Sequence, residues 1–232
     1  MSQIQNDLPM PVEALGVDAR ATFIARTYNH LLGAIILFVL IEVVLFTSGA
    51  AEVLAQKMLG VNWLLVLGGF VLVSWLASRA AHTAKSRGTQ YAALIGFVFA
   101  EAIIFVPLLY VAQYHAGGGV IESAAILTLV GFGALTAIAF WTRKDFSFLG
   151  AVLRWAMIVA LLAIVGAVVF GFELGTWFSV AMIGLAGAAI LYDTSNVIHH
   201  YPEDRYVAAA LELFASVALM FWYILRLLMS RD

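Results

Sequence analysis

Seven predominantly apolar runs, at residues 30–48, 62–78, 91–111, 121–142, 148–170, 177–197 and 207–228, constrain this chain more than any other feature. A helix of roughly 20 residues, rising about 1.5 Å per residue, spans the ~30 Å hydrocarbon core of a bilayer. Inside lipid every backbone N–H and C=O must be satisfied internally, so only helices and closed barrels cross. These runs are continuously apolar, without the period-2 alternation of a barrel strand, and therefore read as helices. The expected fold is an all-α integral membrane protein, a seven-transmembrane-helix bundle.

The rest of the composition agrees. Charged residues make up 11% of the 232 and hydrophobic ones 64%, whereas soluble chains average about 25% charged. Residues 1–27 read as a cytoplasmic tail and 28–232 as the membrane domain, which leaves no length for a separate soluble domain. In the tail, Asp7, Pro9, Pro11, Glu13 and Asp18 interrupt any apolar core, so it does not read as a cleavable signal peptide, and its early part is expected to be disordered. The net charge of −2 argues against nucleic acid as a partner. The absence of cysteine excludes disulfides, thiolate catalysis and Cys-ligated metals.

Orientation follows from the cations. Arg20, Arg26, Arg79, Lys85, Arg87, Arg143, Lys144, Arg154 and Arg205 fall on one side; Lys57, Arg226 and Arg231 fall on the other. The excess puts the N-terminus in the cytoplasm and the C-terminus outside. Pro107 interrupts the third run, where it removes one helical hydrogen bond and predicts a kink. Gly184, Gly187 and Ala188 give the sixth run a small-residue face for close packing. Trp63, Trp155 and Trp177 read as interfacial anchors.

Within the runs stand four carboxylates: Glu42, Glu101, Asp193 and Glu212. A charged side chain at mid-membrane costs about 2.5–3.5 kcal/mol on insertion scales, so such acids normally face a protein interior. Asp193 near the end of the sixth run and Glu212 near the start of the seventh sit at similar depths on antiparallel neighbours. They are expected to meet, with Ser216 one turn deeper on the same face. Two carboxylates in contact would titrate as a unit and could act as a proton-gated latch, with calcium competing for their oxygens. The alternative is that each acid is bonded to a neighbouring hydroxyl, amide or arginine, Arg79 being the counter-charge considered. For Glu101, a cavity-lining role and a buried structural bond are both open. Glu42 reads as interfacial, snorkelling or paired with Arg226. His199 and His200 diverge on a helix and read as interfacial polarity.

Catalytic patterns are missing. There is no H-E-x-x-H, no G-x-S-x-G, and the only lysines are Lys57, Lys85 and Lys144, so no retinal Schiff base can form in the last run. We expect no enzyme and no cofactor.

Two loop motifs carry a family resemblance: Thr142-Arg-Lys-Asp145-Phe-Ser-Phe-Leu-Gly150 before the fifth run, and Asp193-Thr-Ser-Asn-Val-Ile-His199 closing the sixth. With Arg26-Thr-Tyr before the first run and Phe97…Pro107 in the third, the chain resembles the Bax inhibitor-1 family of seven-helix membrane proteins, and within it the bacterial YccA-type branch. The resemblance implies a bacterial inner-membrane protein that binds the FtsH protease and modulates it, with the tail at residues 1–25 as the protease's handle. The wider family implies a pH-sensitive calcium leak gated by two aspartates on the last two helices. Asp193 matches the first of these, the second falls on Ser216, and Glu212 one turn away is our own candidate to restore the pair.

Overall fold

A computed structural model describes residues 10–230 of the chain. Among these residues eight α-helices follow one another: α1 Val17–Thr47, α2 Ala50–Leu59, α3 Trp63–Thr83, α4 Arg87–His115, α5 Val120–Thr142, α6 Leu149–Phe170, α7 Gly175–His199 and α8 Tyr206–Met229. All but α2 are long and apolar enough to cross a membrane, and each covers one of the seven apolar runs to within a residue. This is the expected helical bundle.

Its centre is α8. It packs against α1, α3, α4, α5 and α7, while α6 lies outside α7. Within the most apolar window of each span, 72% of α8 and 61% of α4 are buried, against 11–28% for the other five. The remaining spans keep large apolar side chains on their outward faces, among them Trp141, Trp155, Phe170 and Trp177, as lipid-facing helices must. Trp63, the first residue of α3, is half-buried and stacks on Trp222 with ring centres 6.3 Å apart.

Small residues set the close approaches. A β-carbon added at Gly187 would come within 3.3 Å of Leu135, and one at Gly131 within 3.3 Å of the Met220 sulfur, so α5, α7 and α8 meet at these glycines. The other glycine of the expected small face, Gly184, has open space around it: a β-carbon there would meet no atom within 4 Å. Helix α3 starts at Asn62, whose Oδ1 accepts from the Leu64 N–H at 2.9 Å. Helix α6 ends at Gly171, whose φ of +72° supplies the left-handed cap glycine tolerates.

Two features lie beyond the sequence reading. Helix α2 fills the connection between the first two spans; Ala51 and Ala55, one turn apart, bury against Val106 of α4. Helix α1 starts at Val17, well before the first apolar run, so the later part of the tail continues the first span as helix. Ahead of it, Pro11 forms an antiparallel bridge with Pro202. The Val12 N–H donates to the Tyr201 carbonyl at 2.9 Å, and the Glu203 N–H donates to the Met10 carbonyl at 3.3 Å. Val12 is fully buried beneath this strap.

Candidate functional site

The end of the bundle that carries the strap gathers its polar residues around the connection from α7 to α8. Arg20 of α1 donates to the Ile198 carbonyl at 3.0 Å, a cation at the C-terminal end of α7 where the helix dipole favours it. Arg205 donates to the Ala84 carbonyl at 2.5 Å, which ties the connection to the turn after α3. The two histidines diverge as expected, and each meets an acid from a different element: His199 Nδ1 lies 3.6 Å from Glu13, and His200 Nε2 lies 3.1 Å from Asp145.

The two loop motifs meet here. Asp145 Oδ1 accepts from the Ser147 N–H at 2.8 Å, and Ser195 Oγ of α7 accepts from the Phe146 N–H at 2.9 Å. The Ser147 backbone bond, then His200, hold the Asp145 carboxyl down at about 2. A β-carbon at Gly150 would lie 2.8 Å from the Tyr192 ring. Any larger residue would have to push the Tyr192 ring aside, so the glycine allows the close seating of α6 on α7 and its motif position has a packing cause.

One level deeper, Ser216 Oγ donates to Asp193 Oδ2 at 2.5 Å, joining α7 to α8 in the buried core. Glu212, one turn along α8, has another partner: Ser78 Oγ of α3 donates to its Oε1 at 2.6 Å. His82 Nδ1 stands 3.7 Å from the same oxygen and 2.9 Å from the Ser78 carbonyl. A carbonyl only accepts, so we assign the hydrogen to Nδ1, and Nε2 faces the Tyr201 hydroxyl at 3.5 Å. Burial, and after it the Glu212 and Asp193 carboxylates, pushes the Tyr201 hydroxyl well above its usual range, so it keeps its proton.

The expected contact between Asp193 and Glu212 therefore resolves into two separate acid–hydroxyl pairs. The reason is supply: a hydroxyl from α8 reaches Asp193 and one from α3 reaches Glu212, so each acid has a donor of its own. Ser78 and His82 were missed in the sequence, although their spacing of four residues places them on one face of α3. Arg79 is not the counter-charge; it is exposed and lies 5.2 Å over the Trp75 ring. Among the described residues no three His, Asp or Glu side chains are placed to hold a metal ion.

The other two acids also find their places. Glu101 is buried within α4 and is not part of the large cavity that its neighbours on that helix line. Glu42 is neither snorkelling nor paired with Arg226. It is 8% exposed, and both its carboxylate oxygens lack a hydrogen-bond partner among the described residues. Burying a carboxylate without partners costs more than the roughly 1–3 kcal/mol of an unpaired neutral group.

Fold and site together define a multi-pass helical membrane protein that keeps its acids inside the bundle. The family model described as "Inhibitor of apoptosis-promoting Bax1" matches residues 20–232, and the chain belongs to this Bax inhibitor-1 family. It is 37% identical over 123 residues to the BI1-like protein of Arabidopsis thaliana, covering 50% of this chain and 47% of that one. It is 35% identical over 143 residues to Protein LIFEGUARD 4 of the same plant, covering 58% and 56%. To the Modulator of FtsH protease YccA of Escherichia coli it is 35% identical over 118 residues, covering 50% and 53%. The chain spans about half the length of the relatives it matches.

Proposed function

We propose that this protein resides in a bacterial inner membrane, where it binds the FtsH protease and modulates it without catalysing a reaction. The observation that carries this reading is the similarity to a relative named for that role. The cation distribution supports a cytoplasmic N-terminus. On that orientation the strap, the α5–α6 loop and the α7–α8 connection form one continuous cytoplasmic face, available to a membrane-embedded partner. Of the handle expected at residues 1–25, residues 10–25 are engaged with the bundle as strap and helix, and residues 1–9 lie outside the described residues. The test is purification from native membranes in mild detergent, followed by degradation of a membrane substrate with purified protease. Co-purification and slowed degradation are expected; the absence of both overturns the reading.

A second reading is a pH-sensitive cation leak. It is supported by the Asp193–Ser216 bond, since these residues occupy the two positions that the family resemblance assigns to its acid pair. Serine does not titrate, so this contact has one ionisable member. Calcium flux into proteoliposomes at about pH 6 and about pH 8 tests it. Flux that ignores pH, or that Asp193→Asn leaves unchanged, removes the reading.

A further inference from the structure

Helices α1 and α5 both pack on α8, but their backbones do not approach each other. Towards the strap, Tyr28 of α1 bridges to Phe132 and Phe140 of α5. At the opposite end the gap stays open. It forms a cavity of about 850 Å³, backed by α4 and α8 and closed at its tip by the Gly117–Gly119 loop. That volume lies within the range of sites that hold a drug-sized organic molecule, roughly 300–1,000 Å³.

Its lining has two unusual properties. Phe38, Phe46, Phe105, Phe214 and Phe221 supply aromatic walls; Phe105 stacks on Phe221 with ring centres 5.6 Å apart, and Phe38 meets Phe105 edge-on at 5.2 Å. Among the described residues the only charged ones in the lining are Glu42 and Glu122, with no lysine, arginine or histidine. Glu42 is more than nine-tenths buried there, with both oxygens unpartnered. The nearby hydroxyls do not serve it, because Thr47 and Thr128 donate back to the carbonyls of Val43 and Ala124 on their own helices.

We propose that this cavity is a binding site for a lipophilic organic cation: an apolar body carrying one ammonium or other onium centre, which pairs with Glu42 while the aromatic rings enclose the rest. Both halves of the argument are complementarity. The buried carboxylate lacks a partner, and a positive charge provides one. Aromatic faces attract an organic cation through their quadrupoles. A calcium ion fits the walls poorly, since it takes six to eight oxygen ligands, and no cluster of three acidic or histidine side chains is present among the described residues. The lateral gap between α1 and α5 gives entry from the bilayer, where such a molecule partitions.

The experiment uses the full chain in lipid nanodiscs, with radiolabelled tetraphenylphosphonium as the probe and protein-free discs as the background. Saturable binding at one site per chain is expected. Glu42→Gln keeps the side-chain shape and removes the charge; Ala125→Phe keeps the charge and fills the cavity. Each should weaken binding at least tenfold, with thermal unfolding of each variant confirming that it is folded. Triphenylphosphine oxide, a neutral molecule of similar bulk, should compete at least tenfold less well than unlabelled tetraphenylphosphonium. Three results each overturn the proposal: no saturable binding to the wild type, unchanged affinity in folded Glu42→Gln, or equal competition by the neutral molecule.

Discussion

The hydroxyl of Ser216 donates to Asp193 at 2.5 Å across 23 residues of sequence, so one buried side-chain bond ties the last two helices together. The neighbouring acid, Glu212, is held instead by Ser78 from the third helix. The division of the two acids between separate partners shapes the first two predictions.

Ser216→Ala strands a buried acceptor on Asp193 and should destabilise the protein by about 1–3 kcal/mol, while Ser216→Thr, which keeps the hydroxyl, should lose less. Unfolding in detergent measures both. If alanine proves as stable as the wild type, the bond has no structural weight.

Glu212 and Ser78 should show a coupling of about 0.5–1.5 kcal/mol in a double-mutant cycle built from Glu212→Gln and Ser78→Ala. The same cycle built from Glu212→Gln and Ser216→Ala should be much closer to additive. A larger coupling in the second cycle would contradict the separation of the two pairs.

Gly150→Ala inserts a methyl group 2.8 Å from the Tyr192 ring. Overpacking of this kind costs about 1–3 kcal/mol. In a Tyr192→Ala background the penalty should largely vanish. A cost that persists there would point to the backbone rather than to the ring.

Asp145 gives a pH dependence with a definite sign. Its carboxyl is lowered to about 2 in the folded protein, against about 3.9 unfolded. A depressed acid stabilises the fold above its unfolded value, and the contribution is lost as pH falls through the folded one. The stability gap between wild type and Asp145→Asn should therefore close as pH falls from about 4 to about 2. The gap should be small, because the Asp145 side chain is 47% exposed. A gap that widens between about pH 4 and pH 2 would reverse the assignment.

Val12→Asp places an unpaired charge beneath the strap, where Val12 is fully buried. The strap should undock without unfolding the bundle. Limited proteolysis should then cut near residues 10–16 several-fold faster, with the spans intact; cleavage at the wild-type rate would show that the strap was never held there.

How much of this was legible in advance depended on range. Helices α3 to α8 match their apolar runs because side-chain hydropathy over about 20 residues is a local property. Helix α2 escaped notice because ten residues with Glu52, Gln56 and Lys57 on one side and Ala51 and Ala55 on the other carry too little apolar signal. Ser78 and His82 escaped because a serine and a histidine at a helix end look like ordinary interfacial polarity until α8 brings Glu212 beside them.

Local chemistry alone determined that this chain forms seven spans and that its acids belong inside; the two loop motifs stood out through the family resemblance. Which acid meets which hydroxyl was decided by the tertiary arrangement, because Asp193–Ser216 and Ser78–Glu212 are contacts between different helices. A helix exposes a new face about every 100° of rotation, and small changes in rotation or tilt exchange one partner for another. The same holds for Glu42. Only the separation of α1 from α5 at the end away from the strap leaves its carboxylate facing a cavity instead of a neighbour.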